Sequence, residues 1–233
     1  MAGRKRDKES IRKRRKARSQ EKQQKQMIQV GAVLIGIVLL AVIAYFSLSP
    51  ANAPDVAFER LELDPVLGNP DAPVTIVEYG AFGCHACREW HNAGIVDDIL
   101  QQFPGQVKFV YRDMPIIDPP WSQAMAEIAQ CALDQSNEAF WIAHDSLFED
   151  TVQGRTNQSA AVDLVIAADP LIDGDALSSC VDANTHHNTV QYDMERPEAA
   201  GIRGTPTWFV NGQQVYSASP QVIIQMVESA LGS

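Results

Sequence analysis

Residues 27 to 54 carry no charged side chain, and this uncharged run does most to limit how the chain can fold. The segment Val30–Phe46 is apolar throughout, and as a helix the wider span Met27–Ser49 is long enough to cross a bilayer core of about 30 Å. Residues 1–26 carry twelve Lys or Arg against three Asp or Glu, and basic residues stay on the cytoplasmic side. We therefore expect a basic cytoplasmic arm over 1–26, a single transmembrane helix over 27–49 and a linker over 50–66.

A second interpretation of this region stays open, because Ala51-Asn52-Ala53 has the small-x-small form of a signal-peptidase site. The basic region is long for a signal peptide and the apolar run is longer than usual, so an uncleaved anchor is favoured over cleavage after Ala53. A nucleic-acid-binding tail is the alternative for residues 1–26, and the adjacent apolar span makes it the weaker one. With or without cleavage, residues 55–233 lie outside the cytoplasm, where disulfides persist.

The part of the chain beyond residue 26 is acidic. It holds seven of the 19 basic residues and 26 of the 29 acidic ones, so we expect no nucleic-acid partner. About 180 residues are enough for one domain with its own core.

The pattern of apolar residues predicts an α/β domain. Val74–Tyr79 and Val107–Arg112 predict strands, and residues 85–103 between them predict one helix. A mostly helical block follows, in which Trp121, Met125, Ile128 and Ala132 share one helical face, and further helices are predicted over Glu138–Phe148, 159–168 and 175–194. The chain returns to strand in TPTWFVNGQQVYS, where Asn211-Gly212 predicts a hairpin turn, and it closes with a helix over Pro220–Leu231.

This order of elements, with a CxxC sequence where a strand meets a helix, resembles the DsbA-like thiol-disulfide oxidoreductases. The resemblance covers about Leu67–Leu231 and rests on three stretches, LGNPDAPVTIVEYGAFGCHAC, CALDQSNEAFWIAHDSLFED and GIRGTPTWFVNG. It implies a thioredoxin-fold domain formed by residues 67–117 and 198–233, with a helical sub-domain inserted at 118–197. It also implies a single-pass protein of a bacterial cell membrane, without cofactor or metal.

Cys84 and Cys87 are the predicted redox pair. Only a thiolate attacks a disulfide, and a cysteine at a helix N-terminus faces unpaired N–H groups and the positive end of the helix dipole, which lower its pKa. Cys84 occupies that position, so it is the predicted attacking and leaving sulfur. Cys87 lies one turn further and deeper, placed to resolve a mixed disulfide.

His85 stands where the DsbA-like family usually has proline. An imidazolium beside Cys84 would stabilise the thiolate and make the disulfide more oxidising, whereas a neutral ring that faces solvent would do little. We favour the tuning role, and the direction of electron flow depends on it.

Four other residues complete the predicted site. The resemblance places Glu78 where DsbA-like proteins keep a buried acid and Lys108 near that acid's basic partner, so that together they could move the proton of Cys87. The alternative is a carboxylate at the sheet end and a solvated lysine. Pro206, after Thr205, falls where thioredoxin folds have a cis proline whose loop faces the disulfide and pairs with an extended substrate. An ordinary trans proline at the start of a strand is the alternative.

The remaining cysteines, Cys131 and Cys180, both fall in the helical block. In an oxidising compartment an even count favours a structural disulfide between them, with two buried thiols as the alternative. The other histidines show no metal-ligand spacing; His144 is expected to pack or to lie on the surface, and His186-His187 to form a solvated helix face.

The favoured function is an oxidase that passes its disulfide to exported proteins with free or mispaired cysteines. A membrane redox partner would reoxidise it, and its N-terminal helix would contact the lipid bilayer. A disulfide reductase or isomerase is the main alternative. A soft-metal (copper) module using Cys84, Cys87 and His85, and an anchor with inert cysteines, are weaker ones.

Overall fold

The computed structural model describes residues 64–150, 157–199, 201–216 and 219–232. The expected basic arm, the transmembrane helix, the site after Ala53 and most of the linker lie outside these residues. Among the helices of the described ranges, none combines the length and the apolar composition that a membrane crossing requires.

Five strands form one mixed sheet. In chain order they are β1 (Val66–Gly68), β2 (Val74–Gly80), β3 (Val107–Asp113), β4 (Thr207–Val210) and β5 (Gln213–Val215). Across the sheet the order is β1-β3-β2-β4-β5; β2 and β3 run parallel, and the other neighbours are antiparallel. The expected α/β architecture is therefore present, and its central strand leads directly to Cys84.

All seven residues of β2 are buried because apolar side chains pack on both faces of the sheet. Ile76 belongs to the large apolar cluster on one face, and Val77 to a smaller cluster on the other. The sequence of a strand that is buried on both faces is typically a continuous run of apolar residues. The same burial on both faces explains why β3 is buried at every position except Lys108.

Eight helices occur in the described residues. They are α1 (His85–Asn92), α2 (Ile95–Gln102), α3 (Pro119–Leu133), α4 (Asn137–Asp150), α5 (Gln158–Ala168), α6 (Gly174–Asp182), α7 (His187–Ala199) and α8 (Pro220–Leu231). The last one has the bounds that the sequence predicts. The hairpin turn is also where it was predicted, with φ of 44° at Asn211 and 78° at Gly212.

Two predicted helices are each divided in the structure, so these two predictions were wrong. The helix over 85–103 breaks at Gly94, whose φ of 66° a right-handed helix cannot contain, and the helix over 175–194 breaks near Asn184, with φ of 52°. Apolar periodicity continues through the break at Gly94, and it therefore did not show that break.

The five helices α3 to α7 lie between β3 and β4 in the chain, as expected of an insertion. Cys131 of α3 and Cys180 of α6 are joined by a disulfide that ties two of these helices together. Buried residues of α3 and α4 share one apolar cluster with β2 and β3. The boundaries of the inserted sub-domain, 118–197, stay a prediction.

Candidate active site

Cys84 is the N-cap residue of α1, the position where backbone N–H groups at the start of a helix lack carbonyl partners. Its Sγ accepts a hydrogen bond from the backbone N–H of Cys87 at 3.4 Å. On the opposite side, the Cys84 thiol donates to the carbonyl oxygen of Thr205 at 3.2 Å. Both cysteines are free thiols, so the structure shows the reduced pair.

The hydrogen bonds that Cys84 Sγ accepts stabilise its thiolate. They lower the pKa of Cys84 from 9.0 to about 5, and the hydrogen bond from the Cys87 thiol is the largest cause. Burial acts in the opposite direction, while the backbone N–H groups of Ala86 and Cys87 add to the lowering. Cys84 is thus a thiolate at neutral pH, the state in which it can attack a disulfide or leave from one.

The turn before Cys84 is fixed by a contact that the sequence did not reveal. The backbone N–H of Gly83 donates to Ser122 Oγ at 3.0 Å, and the Ser122 hydroxyl in turn donates to the carbonyl oxygen of Ile117. A Cβ on Gly83 would lie 2.5 Å from Ser122 Oγ and 2.8 Å from that carbonyl oxygen. Residue 83 must therefore be glycine for the turn to lie this close to the start of α3, and no motif in the sequence links it to a serine 39 residues away.

Cys87 lies deeper than Cys84, with 2 % of its surface exposed. Burial raises the pKa of the Cys87 thiol well above its usual range, and the neighbouring Cys84 and Glu78 raise it further. The two sulfurs therefore differ strongly: Cys84 is the ionised member, and Cys87 holds its proton until a base removes it.

Glu78 is the buried acid beside Cys87. On β2 it pairs with Tyr111 of β3 on one side and with Trp208 of β4 on the other. Burial raises its pKa to about 8, while a hydrogen bond to the Cys87 side chain acts in the lowering direction. Its Oε1 atom has no hydrogen-bond partner among the described residues. A carboxyl group in this setting can exchange a proton with Cys87 near neutral pH.

Of the two alternatives for Lys108, the structure shows the solvated lysine and not a partner of Glu78. In the parallel register Lys108 lies opposite Thr75, three residues before Glu78 along β2. Its Nζ donates to the carbonyl oxygen of Pro70 at 2.7 Å, at an exposed position. The sequence places both residues on neighbouring strands, but only the register decides whether they meet.

The Thr205-Pro206 peptide bond is cis. β4 begins at the next residue, Thr207, whose hydroxyl donates to the carbonyl oxygen of Gly204 at 2.7 Å. The loop before β4 therefore presents the Thr205 carbonyl directly to Cys84, as the resemblance implied.

His85 faces solvent, with 76 % of its side chain exposed. Its Nε2 lies 3.8 Å from Glu89 Oε1, one turn further along α1. Of the two arrangements weighed from the sequence, the structure shows the solvent-facing ring. Among the described residues, neither group of three ligand atoms close enough to hold a metal includes Cys84 or Cys87.

One of these two groups contains Cys131, Cys180 and His186. The two sulfurs share a disulfide and cannot act as thiolate ligands. His186 Nε2 instead lies 2.7 Å from Asp134 Oδ2 with only 16 % of the side chain exposed, so the expectation of a solvated face was wrong for His186.

The other group brings His91, His144 and Asp145 together near Cys87. His144 is buried, and its Nδ1 is 3.0 Å from Asp145 Oδ1, so this ring nitrogen is already engaged. The sequence patterns did not reveal this cluster. One signal was available: Cys87 and His91 are four residues apart, and residues four apart on a helix lie on one face, so His91 could have been expected near the redox pair.

Several known proteins are similar to this chain. The family model for thioredoxin matches residues 61–228. Disulfide bond formation protein D of Bacillus subtilis is 30% identical over 156 residues, which are 65% of this chain and 69% of that protein. The Na(+)/H(+) antiporter NhaA 1 of Salinispora arenicola is 35% identical over 153 residues; these are 65% of this chain, which spans only 22% of the antiporter. The crystal structure of oxidised BdbD from Bacillus subtilis superposes with a TM-score of 0.66 at 27% identity, covering 74% of this chain and 95% of that one.

Proposed function

The chain belongs to the DsbA-like thiol-disulfide oxidoreductases of the thioredoxin family, and from this premise we propose that it is an oxidase that donates the Cys84–Cys87 disulfide to exported proteins. Its clients are proteins with free or mispaired cysteines. It acts outside the cytoplasm of a bacterium, tethered by the apolar span 27–49, and a membrane redox partner reoxidises it.

The depressed pKa of Cys84 carries this proposal. Hydrogen bonds that stabilise the Cys84 thiolate stabilise the reduced protein, since the oxidised form has no thiolate at this position. A protein whose reduced form is stabilised gives up its disulfide readily and is therefore a strong oxidant. The name of the Bacillus subtilis relative, disulfide bond formation protein D, points in the same direction.

In the first step a client thiolate attacks Cys84 Sγ in the oxidised protein. The Cys84–Cys87 bond breaks, a client–Cys84 disulfide forms, and Cys87 leaves with the electron pair. Because burial disfavours a thiolate at Cys87, the sulfur takes up a proton, and the neutral carboxyl of Glu78 beside it is the donor.

In the second step another client thiolate attacks the client sulfur that is bound to Cys84. A disulfide forms in the client, and Cys84 leaves as its stabilised thiolate. Two electrons have then passed from two client thiols to the protein, which needs an external oxidant before the next cycle. The loop at Thr205-Pro206 supports this step by offering backbone that an extended client segment can pair with.

A trapping experiment tests the proposal. In Cys87→Ala, resolution within the protein is lost, so mixed disulfides between Cys84 and exported proteins should accumulate; Cys84→Ala, the matched control, should trap nothing. The oxidised wild-type chain should also oxidise a dithiol peptide. A Cys87→Ala protein without any Cys84-linked species, together with inactivity toward the peptide, would refute the function.

The redox potential separates an oxidase from a reductase of the same fold. We expect a potential close to the strongly oxidising end of the family's range, about −120 mV. A measured value near −270 mV, typical of thioredoxin, would favour the reductase instead.

A further inference from the structure

A cavity of about 130 Å³ lies behind the cysteine pair. The residues that line it include Glu78 and Cys87 of the redox centre, together with His144, Asp145, Trp141 and Trp208. Such a volume has room for several water molecules. The cavity therefore links the buried acid of the redox centre to a carboxylate at the surface.

Four buried polar atoms on this wall have no hydrogen-bond partner among the described residues. They are Glu78 Oε1, Trp141 Nε1, His144 Nε2 and Trp208 Nε1. Buried polar groups are almost always satisfied by protein or by ordered water. Because the four residues line one cavity, water inside it can serve as the partner of these atoms.

His144 connects this interior to solvent. The ring is 5 % exposed, yet its Nδ1 lies 3.0 Å from Oδ1 of Asp145, whose side chain is 60 % exposed. Nδ1–H therefore donates to the carboxylate, which leaves Nε2 as an acceptor toward the cavity. Burial lowers the pKa of His144, so the ring is neutral at rest. The other titratable groups that face the ring are His91 and Tyr111.

We propose that His144 and Asp145 form the proton exit of the redox centre, and that they exchange protons with Glu78 through water in the cavity. The inference rests on the proposed thiol-disulfide chemistry and adds a route that this chemistry requires. His144 touches neither the sulfurs nor the client, so it is a positioning residue that acts through Glu78.

Each proton that reaches Cys87 is replaced from solvent. When Cys87 leaves from the Cys84–Cys87 disulfide, it takes a proton from the Glu78 carboxyl, which becomes a carboxylate. In the oxidised protein His144 carries its proton on Nε2, where the preceding reoxidation left it. A cavity water passes a proton to Glu78 and receives this Nε2 proton, while Nδ1 takes one from solvent by way of Asp145. The ring thereby reaches the Nδ1–H tautomer of the reduced protein, and a solvent proton has replaced the one that Glu78 gave to Cys87. Reoxidation runs the route in reverse: a cavity water passes a proton to Nε2, and Nδ1–H passes its proton to solvent through Asp145.

The test measures single-turnover reduction of the oxidised full chain by dithiothreitol between pH 6 and 8, in very dilute buffer. This small dithiol reports on the route whether the protein works as an oxidase or as a reductase, so failure of the proposed function and failure of the relay can be told apart. In His144→Gln, which keeps the polar shape but cannot pass a proton, we expect the rate to fall by roughly tenfold. That is less than the hundredfold or more of direct acid–base catalysis, because His144 acts through Glu78.

Three further measurements separate a relay from a packing role. Imidazole should restore the rate of His144→Ala and leave the wild-type rate unchanged, and the redox potential should stay constant in every variant. Asp145→Asn, a surface change, should lower the rate less than His144→Gln does. His186→Gln is the matched control, because His186 forms a similar pair with Asp134 elsewhere in the protein.

Wild-type rates and pH profiles in both His144 variants would overturn the proposal. A loss that imidazole does not restore, accompanied by a changed potential or an equal loss in His186→Gln, would overturn it as well. The wild-type chain could fail to oxidise a dithiol peptide while His144→Gln still slows reduction by dithiothreitol. That result would support the proton route through His144 and refute the oxidase function.

Discussion

The thiol of Cys84 donates to the carbonyl oxygen of Thr205 at 3.2 Å, although 121 residues separate them in the chain. When Cys84 ionises, its sulfur no longer donates, and this carbonyl oxygen becomes available to another donor. A backbone N–H of an extended client is such a donor. Loss of the Cys84 proton, by ionisation or by disulfide formation, therefore frees the backbone acceptor that an extended client would use.

The reactivity of Cys84 should persist well below neutral pH. With its pKa lowered to about 5, the thiolate absorbance of the reduced protein should titrate near pH 5. A folded pKa below the unfolded value stabilises the reduced fold above that pKa. This stabilisation should be absent below about pH 5 and should grow up to about pH 9; unfolding of reduced wild type and reduced Cys84→Ser across this range measures it. Titration of Cys84 near pH 8 to 9 would contradict the prediction.

Glu78→Gln should stabilise the reduced protein at neutral pH. The folded pKa of about 8 lies above the ordinary 4.5, so ionisation of Glu78 opposes folding. The cost is absent below about pH 4.5, grows between 4.5 and 8, and reaches roughly 3 kcal/mol at pH 7. Urea unfolding of Glu78→Gln and wild type should therefore agree at pH 4 and diverge at pH 7. An equal difference at both pH values would rule out this origin.

Gly83→Ala should destabilise the turn before Cys84. The new Cβ would lie 2.5 Å from Ser122 Oγ, and overpacking of this kind costs about 1 to 3 kcal/mol. The same change should cost less in a Ser122→Ala background, where that oxygen is gone. Gly204→Ala is the matched control because a methyl group at residue 204 would have no other atom within 4 Å. Chemical denaturation of the four variants measures the coupling free energy between residues 83 and 122. If the losses in unfolding free energy simply add, the prediction is contradicted.

Removal of the second cysteine pair should affect stability and leave the redox centre intact. The bond between Cys131 and Cys180 closes a loop of 49 residues, worth about 4 kcal/mol in the chain-entropy model. Cys131→Ala/Cys180→Ala should lower the free energy of unfolding by about this amount. The alkylation rate of Cys84 should stay at the wild-type value; a large change in that rate would show that the two pairs communicate.

His85→Ala decides whether the histidine tunes the redox pair. Because the ring faces solvent and lies near Glu89, we expect the redox potential to change by less than about 30 mV, which corresponds to a tenfold change for a two-electron couple. Glu89→Gln serves as the comparison, since it alters only the partner of the ring. A larger change in His85→Ala would establish the tuning role.

The spacing of apolar residues and the positions of turn-forming residues were enough to predict the framework of the domain. Three elements follow from local residue preferences, and the structure confirms them: the buried strand predicted over Val74–Tyr79, which the structure extends to Gly80, the hairpin turn at Asn211-Gly212 and the last helix. The break at Gly94 was not predicted, since a glycine inside an apolar pattern does not by itself show which φ it adopts.

The site was predictable where one short segment holds the chemistry. The placement of Cys84 and Cys87 follows from a strand that leads into a helix. By contrast, the partners of Gly83 and Glu78 depend on where distant segments meet: Ser122 reaches the turn from α3, and strand register takes Lys108 away from the acid. Strand register and helix packing depend on the whole fold, so they could not be predicted from a single sequence.

The strand order gives the domain a fixed sequence of assembly during synthesis. β2 lies between β3, which follows it closely in the chain, and β4, which begins only at Thr207. While helices α3 to α7 are being synthesised, β2 therefore has a neighbour on one side only. Its other edge, with unpaired backbone groups, stays exposed, and the cysteine pair follows directly after this strand. Open edges of this kind invite pairing with other chains. When the hairpin of β4 and β5 forms, it covers this edge of β2 against pairing with other chains. The same step brings the Thr205-Pro206 loop to Cys84 and so completes the reactive centre.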